Sequence, residues 1–366
     1  MAFVRRLARC QYRTCESVSC YLRLVIGSGE APELSQGALY PLSPHKRRPA
    51  VSAPTPETMS TPFAVAAPQA QTQPIVILNP ASNNGRAARL RPLVERALAR
   101  GRGDLVLTQK PGDADSLAEE AARAGRSVVV VGGDGAIHEA GNGLLRAGAP
   151  VALGVVPAGS GNDYALRVAR MPTDPAAALE LALTAPPARV DAGRVNDDYF
   201  LNAIGVGIDA NCTATAERLK RYGLTGRALY MSAALREVLF HYDGCPTLDA
   251  SFDDGPVRRQ PFAVVAMSIG PTYGGGFKIN PGADPQDGLF DVCVLDKPKQ
   301  SRALRLLPMV ERGQHVDQPE THMFRARHIL LESAKEIYAQ LDGELMLARR
   351  FDVTILPGAL WLRRGV

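Results

Sequence analysis

Val128-Val-Val-Val-Gly-Gly-Asp-Gly-Ala-Ile-His-Glu139 is the stretch that decides the fold. Four β-branched residues run into a glycine-rich turn that carries one carboxylate and then opens a helix, the strand–loop–helix unit of a parallel α/β sheet. Gly132, Gly133 and Gly135 let the backbone approach an anion with no Cβ in the way. The N–H groups of the helix's first turn point at that anion with the positive end of the dipole. Asp134 would repel bare phosphate, so the unit implies a cation. Mg²⁺ is the one that binds through one or two carboxylates together with phosphate oxygens. Taken alone, a strand followed by Gly-Gly-Asp-Gly reads equally well as a tight βα turn.

Two further segments repeat the pattern. Val155-Val-Pro-Ala-Gly-Ser-Gly-Asn-Asp-Tyr-Ala165 is an apolar strand ending in a loop with a hydroxyl, an amide and a carboxylate. Ser160 and Asn162 can donate to phosphate oxygens, while Asp163 can hold a metal-bound water or cap the next helix. Pro74-Ile-Val-Ile-Leu-Asn-Pro-Ala-Ser-Asn-Asn-Gly85 is a third strand entering an Asn-Pro turn. Three strands ending in polar loops on one side form a ligand crevice at the carboxyl edge of a parallel sheet.

These loops, in this order and spacing, resemble the bacterial form of the diacylglycerol kinase family of lipid kinases. The matching stretches are Asn79, Pro80, Ala81, Ser82 and Asn83, then Gly132, Gly133, Asp134, Gly135, Ala136, Ile137, His138 and Glu139 with Asn142-Gly143, then Pro157 to Asp163. The resemblance assigns these loops to ATP, through Gly159, Ser160, Asn162 and Asp163 in the third, together with Thr108. In the carboxyl half, Asn202 to Ala210, Gly274 to Ala283, Asp287-Gly-Leu-Phe-Asp291 and Asp342-Gly-Glu344 follow the family's order. The resemblance implies a general base at Glu344, with Asp342 beside it and Asp134 holding the catalytic Mg²⁺. It also implies a structural Mg²⁺ at the Asp287 carboxylate and the carbonyls of Asp284 and Leu289, with Asp191 in a water-linked acidic network that reaches Asp163. Asp-Gly by itself is a turn dipeptide, and either copy alone reads as one. Two positions depart from the family: Ala136 stands for a threonine and Asn83 for a glycine. A lost charge-assisted phosphate bond costs about 1.5–3 kcal/mol, which weakens activity without abolishing it.

The implied fold is α/β: a layered, NAD kinase-like nucleotide-binding domain at 74–190, then a β-sandwich-like lipid-substrate domain at 191–345, with 346–366 returning to the first. The implied reaction moves the γ-phosphoryl group of ATP to a lipid alcohol, diacylglycerol first among the acceptors, giving phosphatidic acid. An NAD kinase shares the Gly-Gly-Asp-Gly loop but leaves the Gly274-Gly-Gly and Asp287-Gly-Leu segments unaccounted for. A nucleotide-binding regulator without catalysis is the reading that Ala136 and Asn83 keep open.

The rest of the chain fits this reading. With 46% hydrophobic and 22% charged residues, the composition is that of a globular protein. Residues 1–73 read as a disordered extension, rich in Pro and Ser around His45-Lys-Arg-Arg48, with Met59 a candidate start. Arg23 interrupts its most apolar run and argues against a signal peptide or membrane span. Residues 1–58 hold eight Lys/Arg against four Asp/Glu, so the overall +5 leaves the remainder nearly neutral at 34 against 33. The expected partner is a lipid alcohol, with no nucleic acid; a homodimer is open, since the sequence does not carry the oligomeric state. Peripheral contact at the inner face of the membrane falls to a local patch, for which Arg218 to Met231 is a candidate. Six cysteines at wide or irregular spacing give no disulfide framework or metal pair and suit a reduced, cytoplasmic setting. His138 reads in isolation as an exposed helical residue.

Overall fold

The structure, a computed structural model, describes residues 73–99, 101–220 and 223–365. The expectations for the amino-terminal extension, its basic run, its three cysteines and Met59 lie outside the described residues, as do Arg221 and Tyr222 of the candidate patch.

The first half is a parallel sheet of β1 (Ile75–Leu78), β2 (Asp104–Leu107), β3 (Val128–Gly132) and β4 (Ala152–Pro157), in the order β2-β1-β3-β4. β1 and β3 are buried along their whole length, as expected of parallel strands with both faces covered. The cover comes from α1 (Arg91–Leu98), α2 (Asp113–Arg123), α3 (Asp134–Ala147) and α4 (Pro175–Thr184). α2 turns Ala114, Ala118, Ala121 and Ala122 inward, an alanine stripe that lets α3 lie close beside it. Because every strand runs the same way, the three loops that follow β1, β3 and β4 emerge at one edge.

The second half is antiparallel. Its elements are β5 (Pro187–Val195), β6 (Asp198–Phe200), β7 (Ala203–Gly207), α5 (Ile208–Lys220), α6 (Gly226–Phe240), β8 (Thr247–Phe252), β9 (Arg258–Ser268), β10 (Phe290–Asp296), α7 (Gln300–Arg312), β11 (Thr321–Ala326), β12 (His328–Leu341) and β13 (Glu344–Arg363). The sheet order is β11-β10-β9-β7-β12-β13, and β13 continues it into the parallel half through Trp361 against Ala152 and Leu362 against Leu153. Phe200, Phe262, Phe290 and Phe351 fill this half's core, with Phe200 and Phe290 stacked at 5.6 Å. A separate core of Val76, Val130, Ile137 and Val155 fills the first.

Two breaks shape this half. α5 and α6 are separate helices, because Gly223 (φ 82) and Gly226 (φ 58) take left-handed conformations between them and re-aim the chain. β6 and β7 are separate strands, parted where the N–H groups of Leu201 and Asn202 bond a carboxylate instead of a neighbouring strand.

Candidate active site

The three loops at the carboxyl edge are tied to one another by their own polar groups. Asn79 accepts the Ala81 N–H at 3.0 Å and closes its turn, and the Ser82 hydroxyl accepts the Gly133 N–H at 3.2 Å. Asn83 has φ 53, followed by Asn84 at 54 and Gly85 at 82. The position that is glycine in the family is thus left-handed here, and asparagine is the side chain that tolerates it best. Thr108 closes β2 with its N–H on Leu78 O at 3.1 Å and is buried. Gly133 and Gly159 meet backbone to backbone: a Cβ on Gly159 would stand 2.5 Å from Gly133 Cα.

Asp134 opens α3, and both of its oxygens accept backbone N–H groups of the third loop, Asn162 at 2.8 Å and Tyr164 at 3.2 Å. Burial, with the charge of Asp163 added, pushes this carboxyl up to about 6. A divalent cation would relieve the repulsion, so the pair fits the Mg²⁺ that the first loop implies. Ser160 is exposed. Asn162, at φ 61, turns its amide back on Gly159, accepting that N–H at 2.7 Å and donating to its carbonyl at 3.1 Å. The side chain read as a phosphate donor therefore shapes the loop. Asp163 caps no helix. It accepts Thr272 Oγ1 at 2.8 Å and the Gly275 N–H at 2.7 Å, joining the third loop to the Gly274-Gly-Gly segment, and burial pushes its carboxyl up.

The Asp342-Gly-Glu344 turn arrives from the other half. Asp342, at φ 50, accepts three backbone N–H groups, from Leu201 at 2.7 Å and from Asn202 and Ala203 at 2.9 Å each. Its fourth partner is His138 Nδ1 at 2.9 Å. The expectation of an exposed His138 is corrected: its side chain is 14% exposed, because that face of α3 is covered by the turn. Burial opposes charge on the ring, but the bond to Asp342 and the charges of Asp342, Glu344 and Asp198 outweigh it and raise its pKa. Glu344 is exposed, and a Cβ on Gly135 would lie 3.4 Å from its Oε1. Its carboxylate therefore stands at the mouth of the phosphate loop, whereas Asp342 is spent on structure. Glu139 faces away, accepting the Ala114 N–H at 3.2 Å at the start of α2, and burial pushes it up. Ala136 and Ile137 are buried under the loop.

Asp284, Asp287 and Leu289 share one turn. Asp191 grips it through its N–H on Pro285 O and through the Gly288 N–H, both at 2.8 Å, and also accepts the Gly358 N–H at 2.7 Å. Burial, with the charges of Asp287 and Asp284, pushes Asp191 up. Asp287 Oδ2 and Asp291 Oδ2 are buried without a hydrogen bond, while Arg325 stands 3.5 Å from Asp287 Oδ2 and 3.6 Å from Asp291 Oδ1, so a hard cation here would share the carboxylates with that guanidinium. Among the described residues no group of three or more His, Cys, Asp or Glu converges as a metal cage. A site here would draw on carbonyls as well.

Sequence reasoning did not assign a cavity of about 110 Å³ between α5, α6, α7 and the sheet, lined by Ile208, Cys212, Val264, Phe277, Leu307 and Val310. Its one carboxylate is Asp209, which accepts Tyr273 Oη at 3.0 Å and Gln340 Nε2 at 3.2 Å and is pushed up to about 6 by burial. Tyr230 lines the cavity, and its hydroxyl lies 3.9 Å from where a Cβ on Gly343 would be, so one wall of the cavity adjoins the Glu344 turn. The signal for Asp209 was present, a carboxylate in the first helical turn after an apolar strand, as at Asp134.

Comparison with known proteins agrees with this geometry. Residues 73–195 match the model of the diacylglycerol kinase catalytic domain, and residues 202–364 that of the YegS C-terminal NAD kinase beta sandwich-like domain. The chain is 33% identical over 294 residues to a "Probable lipid kinase YegS-like" protein of Chromohalobacter salexigens, covering 76% of this chain and 90% of that one. It is 30% identical over 311 residues to a diacylglycerol kinase of Mycobacterium tuberculosis, covering 79% and 94%. A crystal structure of a diacylglycerol kinase from Bacillus anthracis shares the fold, with TM-score 0.62, 20% identity and coverage of 81% and 98%. Phosphate loops in one half, a carboxylate turn brought to them by the other, and relatives matched over nearly their full length place this chain in the diacylglycerol kinase and YegS-like family of lipid kinases.

Proposed function

We propose that the chain transfers the γ-phosphoryl group of ATP, with Mg²⁺, to the free hydroxyl of diacylglycerol, forming phosphatidic acid. The observation that carries this reading is the position of Glu344: an exposed carboxylate whose Oε1 would lie 3.4 Å from a Cβ on Gly135, on a turn whose Gly343 adjoins Tyr230 in the wall of an apolar cavity. A phosphate chain lies on the loops of Asn79, Gly133 and Ser160, where backbone N–H groups and the amino end of α3 favour negative charge. A short stretch of one acyl chain of the acceptor would enter the cavity of about 110 Å³, whose apolar lining rewards its burial. Glu344 takes the proton of the lipid hydroxyl as that oxygen attacks the γ-phosphorus and the bond to ADP breaks. Asp134 beside Asp163 would hold the catalytic Mg²⁺, and Asp287 with the carbonyls of Asp284 and Leu289 a structural one. Mg²⁺ supplies neutralisation of phosphate charge. Holding the two reactants in line accounts for much of the acceleration.

No helix among the described residues is long and apolar enough to cross a membrane. A lipid acceptor would be met at a bilayer surface. The test is transfer of labelled γ-phosphate by the full chain with Mg²⁺ to diacylglycerol, a sphingoid base or phosphatidylglycerol in mixed micelles, and to NAD⁺ in parallel. Label in phosphatidic acid is the expected result. Label in another lipid would move the acceptor, and label in NAD⁺ alone, or ATP binding without transfer, would overturn the reading.

A further inference from the structure

One stripe of α3 carries three polar side chains at intervals of four residues, and each leaves the helix for a different partner. Asp134 holds the third phosphate loop, His138 holds Asp342, and Asn142 bonds both the N–H and the carbonyl of Tyr199, at 3.1 and 3.0 Å. The turn of Asp342 is fixed to its own half by the Leu201, Asn202 and Ala203 amides and by its N–H on Ala203 O at 2.9 Å. Gly343 adds its N–H to Gln340 Oε1 at 3.0 Å. Toward the helix that begins at the phosphate loop, the hydrogen bond from His138 is the direct tie.

We propose that His138 is a positioning residue: its imidazole, seated between Asp342 and Asn142, locks the turn that presents Glu344 to the helix that carries the phosphate loop. The ring suits the task. Nδ1 donates to the Asp342 carboxylate at 2.9 Å, a bond that both the neutral and the charged ring can make, and Asn142 Nδ2 lies 3.3 Å from Nε2 on the ring's other side. The Asp342 side chain is buried, and its remaining bonds are to backbone of its own half, so the bond from His138 is its own direct link to the helix. A general base displaced by about 1 Å loses rate on the order of 100-fold, whereas ATP, bound by loops on the other side of the tie, keeps its affinity. The proposal rests on Glu344 being the base.

Three variants of the full chain test it: His138→Leu, which fills the space without a donor, His138→Asn, whose amide nitrogen reaches about as far as Nδ1, and Glu344→Gln. The leucine variant is expected to lose about 10- to 100-fold in kcat with KM for ATP within about 2-fold of the parent, and the asparagine variant to recover most of that loss. A leucine variant with parental kcat beside an inactive Glu344→Gln would overturn the positioning role and leave the base in place. So would an asparagine variant no better than leucine. Parental activity in Glu344→Gln would remove the base itself. Should the leucine variant not fold, His138→Ser, too short to reach Asp342, takes its place with the same outcomes.

Discussion

The crevice at the edge of the parallel half and the Asp342–Glu344 turn of the antiparallel half would serve the proposed reaction with opposite materials. In the crevice, Ser82, Asp134 and Asn162 spend oxygens on holding loops, which would leave an anion to the N–H groups and the start of α3. In the turn, Asp342 takes up four donors while its neighbour Glu344, the proposed base, stays exposed. A backbone site tolerates altered side chains and is broken by an added Cβ. A side-chain site behaves the other way. On that ground Ala136 and Asn83 are expected to leave nucleotide binding in place, and the left-handed φ of 53 at Asn83 suits asparagine.

The sharpest way to break the contrast is Gly159→Ala. The new methyl would meet Gly133 Cα at 2.5 Å, backbone against backbone, and neither loop can yield alone. Overpacking of this kind costs about 1–3 kcal/mol, so the thermal midpoint falls and ATP affinity drops about 10-fold or more, read by calorimetry and nucleotide titration. Unchanged affinity would mean that the loops do not need their close approach.

A smaller effect is expected from Asp134. Its carboxyl is raised from 3.8 to about 6 in the folded protein, so the native state holds this proton more tightly than the unfolded chain. The contribution to stability is therefore greatest below 3.8 and declines as pH rises toward about 6. A cation held by the ionised pair offsets that decline. Mg²⁺ should raise the thermal midpoint at pH 7 more in the parent than in Asp134→Asn, and at pH 4 the two should respond alike. Equal responses at both pH values would remove Asp134 from the cation's ligands.

Much of this was legible in the sequence because the information is local. Apolar runs ending at glycine mark β1, β3 and β4, and strands that run parallel bring their loops to one edge without further detail. What stayed hidden depends on contacts between residues far apart in the chain. His138 looks like a surface position until a turn 204 residues later covers it. Asn162 and Asp163 look like ligands and caps until the fold supplies Gly159 and Gly275 as partners. The cavity of Tyr230 and Asp209 needs α5, α6 and α7 to assemble, and the break between the first two rests on left-handed Gly223 and Gly226 inside a helical pattern.

The central claim, that a backbone crevice binds and a side chain from the other half reacts, is tested most directly by Glu344→Gln in the full chain. Label transfer from γ-labelled ATP to lipid and ATP binding would be measured on the same preparation. The account predicts a fall in transfer of about 10²–10⁴-fold with ATP affinity unchanged. Transfer at the parental rate, or loss of transfer together with loss of ATP binding, would contradict it.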